Sequence, residues 1–213
     1  MTLRSGLGPL DLEEGIAGRI VLAARAEFAA RGYSGLTMDG LAHELGISKK
    51  TIYAHFASKE MVAKAVVTAV AATIRRRASD ALAEPNAFKT KFRDILRIIA
   101  EELTWVSTSF LRDVERHAPA VYAEIDILRS RNIGDLFGRL LAEGVEQGLV
   151  HPRIDPKFAV TFWVQAIQGL MHPANLERLG LDPREAFERA ATLFLEGLLT
   201  KKGCDDGSNE IRP

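Results

Sequence analysis

Apolar residues in this chain recur at intervals of three and four, and strict alternation is rare, so the pattern predicts helices with almost no strand. Ile16, Ile20, Ala24 and Phe28 share one stripe, and Val62, Val66 and Val70 a second. Phe88, Phe92, Ile95, Ile99 and Leu103 make a third. Helix punctuation separates them. Gly32 in "RGY" suits the left-handed position that ends a helix, and Pro85 breaks the chain before the third stripe. "STSFLRDVERH" reads as a shorter helix ended by Pro119, and a long one follows from about Ala120 to Gln147. Two later starts are explicit: Asp155–Pro156 and Asp182–Pro183 each offer an N-cap followed by a proline whose missing N–H costs nothing there. Glu185, three residues after Asp182, suggests a capping box. The expected fold class is all-α.

Composition limits what such a bundle does. The 213 residues suffice for one large or two smaller domains. Lys+Arg and Asp+Glu both number 28, so the formal charge is zero, and any polyanion must be met by a local patch. The lone cysteine, Cys204, has no internal disulfide partner, as befits a reducing compartment. No apolar run approaches the roughly 20 residues of a membrane span, and "MTLRSGLGPLDLEEG" has no signal-peptide pattern. A cytoplasmic location with no membrane partner is expected.

The densest polar reach lies in "GISKKTIYAHFASKE", Gly46–Glu60. Thr37 suits the N-cap of a short helix carrying Leu41, Ala42 and Leu45 inward. Gly46 suits its stop, Ser48 caps the next helix, and Ser58 caps a longer one. Helix, tight turn, helix is the order of a helix-turn-helix. With Ile47, Ile52 and Phe56 holding the second helix to its domain, Lys49, Lys50 and Thr51 occupy the tip, within reach of base edges. Tyr53 and His55 flank the helix, and Lys59 stands at the start of the following one. Thr37 offers a hydroxyl and a backbone N–H to a phosphate. Three cations are few, and composition alone leaves a solvated helix face as an equal reading; the ordered series of caps and turn favours duplex DNA.

"LTMDGLAHELGISKKTIYAHFASKEMVAKAVV" closely resembles the signature region of the TetR (tetracycline-repressor) family of transcriptional regulators. The matching features are Thr37, Leu41–Ala42, Gly46–Ser48, Thr51–Phe56 and Ser58–Glu60, in order at fixed spacing. The resemblance covers about residues 13–65. It implies a homodimer that binds operator DNA and is released by a small molecule. By that resemblance Lys49, Lys50 and Thr51 lie where the family meets bases and nearby phosphates, and Thr37, Tyr53, His55 and Lys59 where it meets the backbone; Ser48, the cap of the same helix, completes the expected DNA-binding set. One departure is Gly40, three residues after Thr37, where the family often has an acidic residue; a glycine here predicts a looser helix start. The implied organisation is a three-helix helix-turn-helix DNA-binding domain over 13–60 and a larger helical ligand-binding and dimerisation domain over 61–200. Flexible tails are expected at 1–12 and 201–213.

In the body, Trp105, Phe110, Tyr122, Phe137 and Trp163 are either core or the lining of an inducer cavity between helices. Ser107, Thr108, Ser109, Gln165 and Gln168 are polar groups near them in sequence. "FAVTFWVQAIQGLMH" is apolar nearly all round, which argues for burial on more than one side. With Ala166, Gly169, Ala190, Ala191 and Gly197 permitting close approach, the last two helices are the expected homodimer interface. "RRR" at Arg75–Arg77 is expected to end the fourth helix. His117, His151 and His172 do not fall at metal-ligand spacing, and neither Glu101–Glu102 nor Asp113–Glu115 shares a helix face. No cofactor, metal or catalytic set is therefore expected. The alternative is a helical-bundle enzyme acting on an apolar small molecule, which needs an acid, base or metal cluster in the body. A protein–protein adaptor with a vestigial helix-turn-helix is a third reading.

Overall fold

The computed structural model describes residues 15–199. Within them the chain forms α1 (Ile16–Gly35), α2 (Met38–Leu45), α3 (Lys49–His55), α4 (Lys59–Ala83), α5 (Phe88–Leu103), α6 (Thr108–His117), α7 (Pro119–Glu146), α8 (Pro156–Leu170), α9 (Pro173–Leu179) and α10 (Pro183–Leu198). The extended backbone pairing among the described residues is one isolated antiparallel bridge, Val150 to Leu199. The tails expected at 1–12 and 201–213, and Cys204, lie outside the described residues, as do 13, 14 and 200.

The caps that delimit these helices are those the residue types prefer. Ser58 accepts the Met61 N–H at 3.2 Å, Ser107 accepts Phe110 at 3.0 Å, and Asp155 accepts Lys157 at 3.0 Å. Asp182 accepts the Glu185 N–H at 2.8 Å, whereas the Glu185 carboxylate is engaged by Arg189, so only half of a capping box is made. α9 was not anticipated. Its N-cap is His172, whose ring Nδ1 accepts the Ala174 N–H at 3.3 Å ahead of Pro173. α4 also corrects an expectation: Arg75–Arg77 lie inside it, and it continues through "ASDALA" to Ala83. Nothing in that segment breaks a helix, and Arg76 pairs with Asp80 one turn on.

α4 is the spine. At 1.5 Å per residue its 25 residues run roughly 37 Å. It packs on α1, α5 and α7. The buried set is one continuous core, from Ile20, Phe28 and Ile52 at one end to Trp163, Phe187 and Phe194 at the other. α1 is tied to the body by charge as well. Arg25 and Glu102, each about 1% exposed, form an ion pair at 2.9 Å, and Arg77 reaches the same carboxylate at 3.0 Å and Glu101 at 2.6 Å. Burial pushes the Arg25 guanidinium below its ordinary pKa, and Glu102 pulls it back up.

Candidate nucleic-acid interface and ligand cavity

α2 begins at Thr37, whose hydroxyl oxygen accepts the Gly40 N–H at 3.0 Å. A Cβ on residue 40 would stand 2.9 Å from that oxygen. The glycine thus makes room for the cap, contrary to the looser start expected from its propensity. α2 stops at Gly46, in the left-handed conformation (φ 64°, ψ 32°) that a side chain resists. The Gly46 and Ile47 N–H groups return to the His43 and Ala42 carbonyls, both at 3.1 Å. Ser48 then caps α3, accepting the Thr51 N–H at 3.0 Å while its hydroxyl meets that of Thr51 at 2.8 Å.

α3 has only seven residues, too few to hold a helix alone in water. It is held by Ile52, which is fully buried, and by its cap. Together these contribute roughly 2–4 kcal/mol. Lys49, Lys50, Tyr53 and His55 are all exposed, as are Thr37 and Ser48, and Thr51 is half-buried. Tyr53 exposes 49% of its surface, which nothing in the protomer's own packing requires. The ammonium of Lys49 is held by Asp39 in the first turn of α2.

Lys59 is placed differently. Its Nζ donates to the Tyr33 carbonyl at 3.1 Å and lies 4.4 Å from the Tyr33 ring centroid. Burial pushes its pKa down, partly offset by Asp113. α1 delivers Tyr33 here through Gly32, whose φ of 69° and ψ of −179° interrupt the helix. The ordinary left-handed pair was expected; the positive φ is present, with an extended ψ.

In the body, α4, α5, α6, α7, α8 and α10 surround a cavity of about 130 Å³. Trp105 and Phe110 lie on its wall, with Ile74, Leu103 and Ile133 among the aliphatic neighbours. Phe137 and Trp163 lie off the wall, in an aromatic stack with Phe92 and Phe194; the Trp163 and Phe194 rings are 4.6 Å apart. Tyr122 sits edge-on to His172 at 6.4 Å, with its hydroxyl pushed up to about 12 by burial and by Asp126. Ser107 is spent as a cap, Gln168 donates to Ser130 at 2.6 Å, and Gln165 is exposed.

Two further wall residues, Arg129 and Asn132, are not among those the sequence singles out. The signal was present, since they follow Ile125 by four and seven residues and so fall on the apolar stripe of α7. Arg129 Nη1 donates to Asp126 Oδ1 at 3.1 Å. Burial lowers the pKa of this guanidinium and raises that of the Asp126 carboxyl. Asn132 Nδ2 donates to the Ala71 carbonyl of α4 at 2.8 Å.

The outer faces of α8 and α10 set three large exposed apolar side chains among polar and charged ones such as Gln165, Arg189 and Glu196. Phe158 is 68% exposed, Phe162 56% and Leu193 75%. Gly169 and Gly197 are exposed beside them, and Ala166 and Ala190 are half-buried. Ala191 faces inward and is buried within the protomer. Among the described residues no group of three His, Cys, Asp or Glu side chains is arranged to hold a metal ion. No described helix is long and apolar enough to cross a membrane.

Comparison with known proteins agrees with this geometry. Residues 20–66 match the family described as bacterial regulatory proteins, tetR family. A search of curated proteins found no match. Among solved structures, the chain is similar to SmeT, the repressor of the Stenotrophomonas maltophilia multidrug efflux pump SmeDEF. The identity is 18%, covering 94% of this chain and 98% of that one, with a TM-score of 0.64. It is also similar to a transcriptional regulator from Cytophaga hutchinsonii, at 16% identity, 88% and 100% coverage and a TM-score of 0.69. A third is the fatty acid degradation regulator FadR from Bacillus halodurans, at 17%, 86% and 97%, and 0.64. At these identities the likeness is one of fold.

Proposed function

We propose, on the premise that the chain is a regulator of the tetR family through its residues 20–66, that it is a repressor. In this reading it binds a pseudo-palindromic operator as a homodimer and leaves it when a small molecule fills the body cavity. The observation that carries the reading is α3 itself. Ile52 is buried to 0% exposure, while Lys49, Lys50, Tyr53 and His55 stand together in solvent. Such a helix presents donors and cations to a polyanion. Thr37, Ser48 and Thr51 supply hydroxyls around it. Lys59 acts through Tyr33, fixing the α1–α4 junction.

The dimer forms through α8 and α10. Phe158, Phe162 and Leu193 form an apolar surface that a second copy covers. Two α3 helices then enter successive major grooves about 34–36 Å apart. α4 links the two functions, because Val67, Val70 and Ile74 wall the cavity while its N-terminus follows α3 in the chain after three residues. A second link runs through Arg25, whose guanidinium carbon lies 6.0 Å from the ring centroid of Trp105 on the cavity wall. A ligand that prefers one tilt of α4 favours one spacing of the reading helices, and the required preference is small: about 1.4 kcal/mol for each tenfold loss of operator affinity. SmeT, which shares the fold, has been solved as a complex with triclosan.

The test is a gel shift with fragments from upstream of the chain's own gene, comparing wild type with Lys49→Ala and Tyr53→Ala. Binding that weakens in both variants and falls steeply with salt supports the proposal. Equal affinity for all three proteins, without salt dependence, ends it.

A further inference from the structure

The helix-turn-helix is held to the body through more than α4. α1 packs on α2, and Arg19 Nη2 donates to the Leu45 carbonyl at the end of that helix at 3.4 Å, so α1 and the helix-turn-helix form one unit. A unit carried by α4 alone could turn about the axis of that helix. α1 removes this freedom. Its Phe28 ring lies 5.6 Å from that of Phe110 in α6, and its Arg25 meets Glu102 in α5.

Glu102 uses both carboxylate oxygens. Oε2 accepts from Arg25 at 2.9 Å and Oε1 from Arg77 of α4 at 3.0 Å, so one side chain joins α1, α4 and α5. It is also carried by the cavity wall. Ile99 and Leu103, three residues before it and one after, line the cavity, as does Trp105 just beyond the end of α5. The Trp105 ring centroid lies 6.0 Å from the Arg25 guanidinium carbon. A shift of this part of the wall therefore shifts the carboxylate. An apolar contact at the same place would absorb the shift by changing rotamer. A buried ion pair does not, because separating it leaves buried charge uncompensated.

Resting on the reading of the cavity as the effector site, we propose that the joint of Arg25, Glu102 and Arg77 carries its occupancy to the helix-turn-helix. A molecule that displaces Ile99, Leu103 and Trp105 displaces Glu102. Arg25 follows, and α1 turns the helix-turn-helix about α4. The joint, more than the tilt of α4 itself, sets the size of the response. The two α3 helices of a dimer then leave the spacing that successive grooves require.

The test uses N-phenylnaphthylamine, an uncharged apolar fluorophore suited to an aliphatic and aromatic wall, with the full-length protein and a fragment from upstream of its own gene. With the fluorophore bound, wild type should hold the fragment about tenfold or more weakly. The double variant Arg25→Met, Glu102→Leu puts apolar side chains of similar volume in place of the pair. It should bind fragment and fluorophore within about threefold of wild type, yet lose less than about twofold in fragment affinity when the fluorophore binds. Hydrogen exchange without DNA gives a second readout. The fluorophore should alter exchange in both α5 and α1 of wild type, but in α5 alone of the double variant. Glu102→Gln keeps the shape without the charge; its response should lie between the two, and it serves where the double variant does not fold. A response in either variant as large as that of wild type, or α1 exchange that still changes in the double variant, overturns the joint and leaves the effector site standing. So does a folded double variant that no longer binds the fragment, since the joint would then build the DNA-binding state rather than report on the cavity. A fluorophore that fails to bind wild type, or binds without loosening the fragment, overturns the effector-site reading and the joint with it.

Discussion

Replacing Glu102 with alanine removes the carboxylate that Arg25 meets at 2.9 Å, where both side chains are about 1% exposed. Taking one partner from a buried ion pair costs about 3–5 kcal/mol, because the remaining charge keeps its desolvation penalty and loses its compensation. Arg77, 28% exposed, keeps Glu101 at 2.6 Å, so its loss is minor. For a chain of this length each kcal/mol lowers the melting temperature by about 2–4 °C, so Glu102→Ala should melt about 6–20 °C below wild type. The double variant Arg25→Met, Glu102→Leu replaces the pair with apolar side chains of similar volume and should recover most of that loss. The assay is thermal and urea denaturation at one fixed protomer concentration, since self-association would shift both transitions. A loss below about 1 kcal/mol in Glu102→Ala, or a double variant as unstable as the single one, refutes the view that this pair is stabilised by mutual compensation.

Asp39→Asn frees the Lys49 ammonium and removes a negative charge from beside the start of α3. Operator affinity should rise a fewfold, and the slope of log K against log salt should steepen by up to about one, read by fluorescence anisotropy. Weaker binding would mean that Asp39 positions Lys49. Gly144→Ala places a Cβ 2.6 Å from a Phe88 ring carbon and 2.8 Å from a Val150 methyl. Overpacking of about 1–3 kcal/mol then opposes the gain of about 1 kcal/mol in helix propensity, so the urea midpoint should fall slightly. The Glu101 carboxyl is held below its ordinary pKa of 4.5, chiefly by its hydrogen bond to Arg77. A depressed carboxylate contributes stability above its unfolded pKa and loses it as pH falls through the folded value. Wild type should therefore lose stability below about pH 4.5 more steeply than Glu101→Gln.

The helix-turn-helix is legible in the sequence because its determinants are local. Thr37, Ser48 and Ser58 cap helices whatever surrounds them, and Gly46 ends one because a left-handed residue is needed there. Asp155 and Asp182 announced α8 and α10 for the same reason. What escaped was set by tertiary context. α9 starts on a histidine cap, outside the usual cap residues. Lys59 resembles any exposed first-turn lysine until Tyr33 arrives from α1, twenty-six residues away. Helical spacing alone does not separate Trp105 and Phe110, on the cavity wall, from Phe137 and Trp163, in the aromatic core, or from Tyr122 beside His172. Arg129 and Asn132 were polar residues on an apolar stripe, a pattern that acquires meaning only once α4 and α5 close around them.

The central claim is that the outward face of α3 enters the major groove, twice per dimer. Methylation interference at guanine N7 on an operator fragment reads that groove directly. The account predicts two clusters of interfering guanines, about 10 base pairs apart and related by a dyad, that fade in Lys49→Ala. A single cluster, a pattern confined to the minor groove, or two clusters indifferent to Lys49 would contradict it.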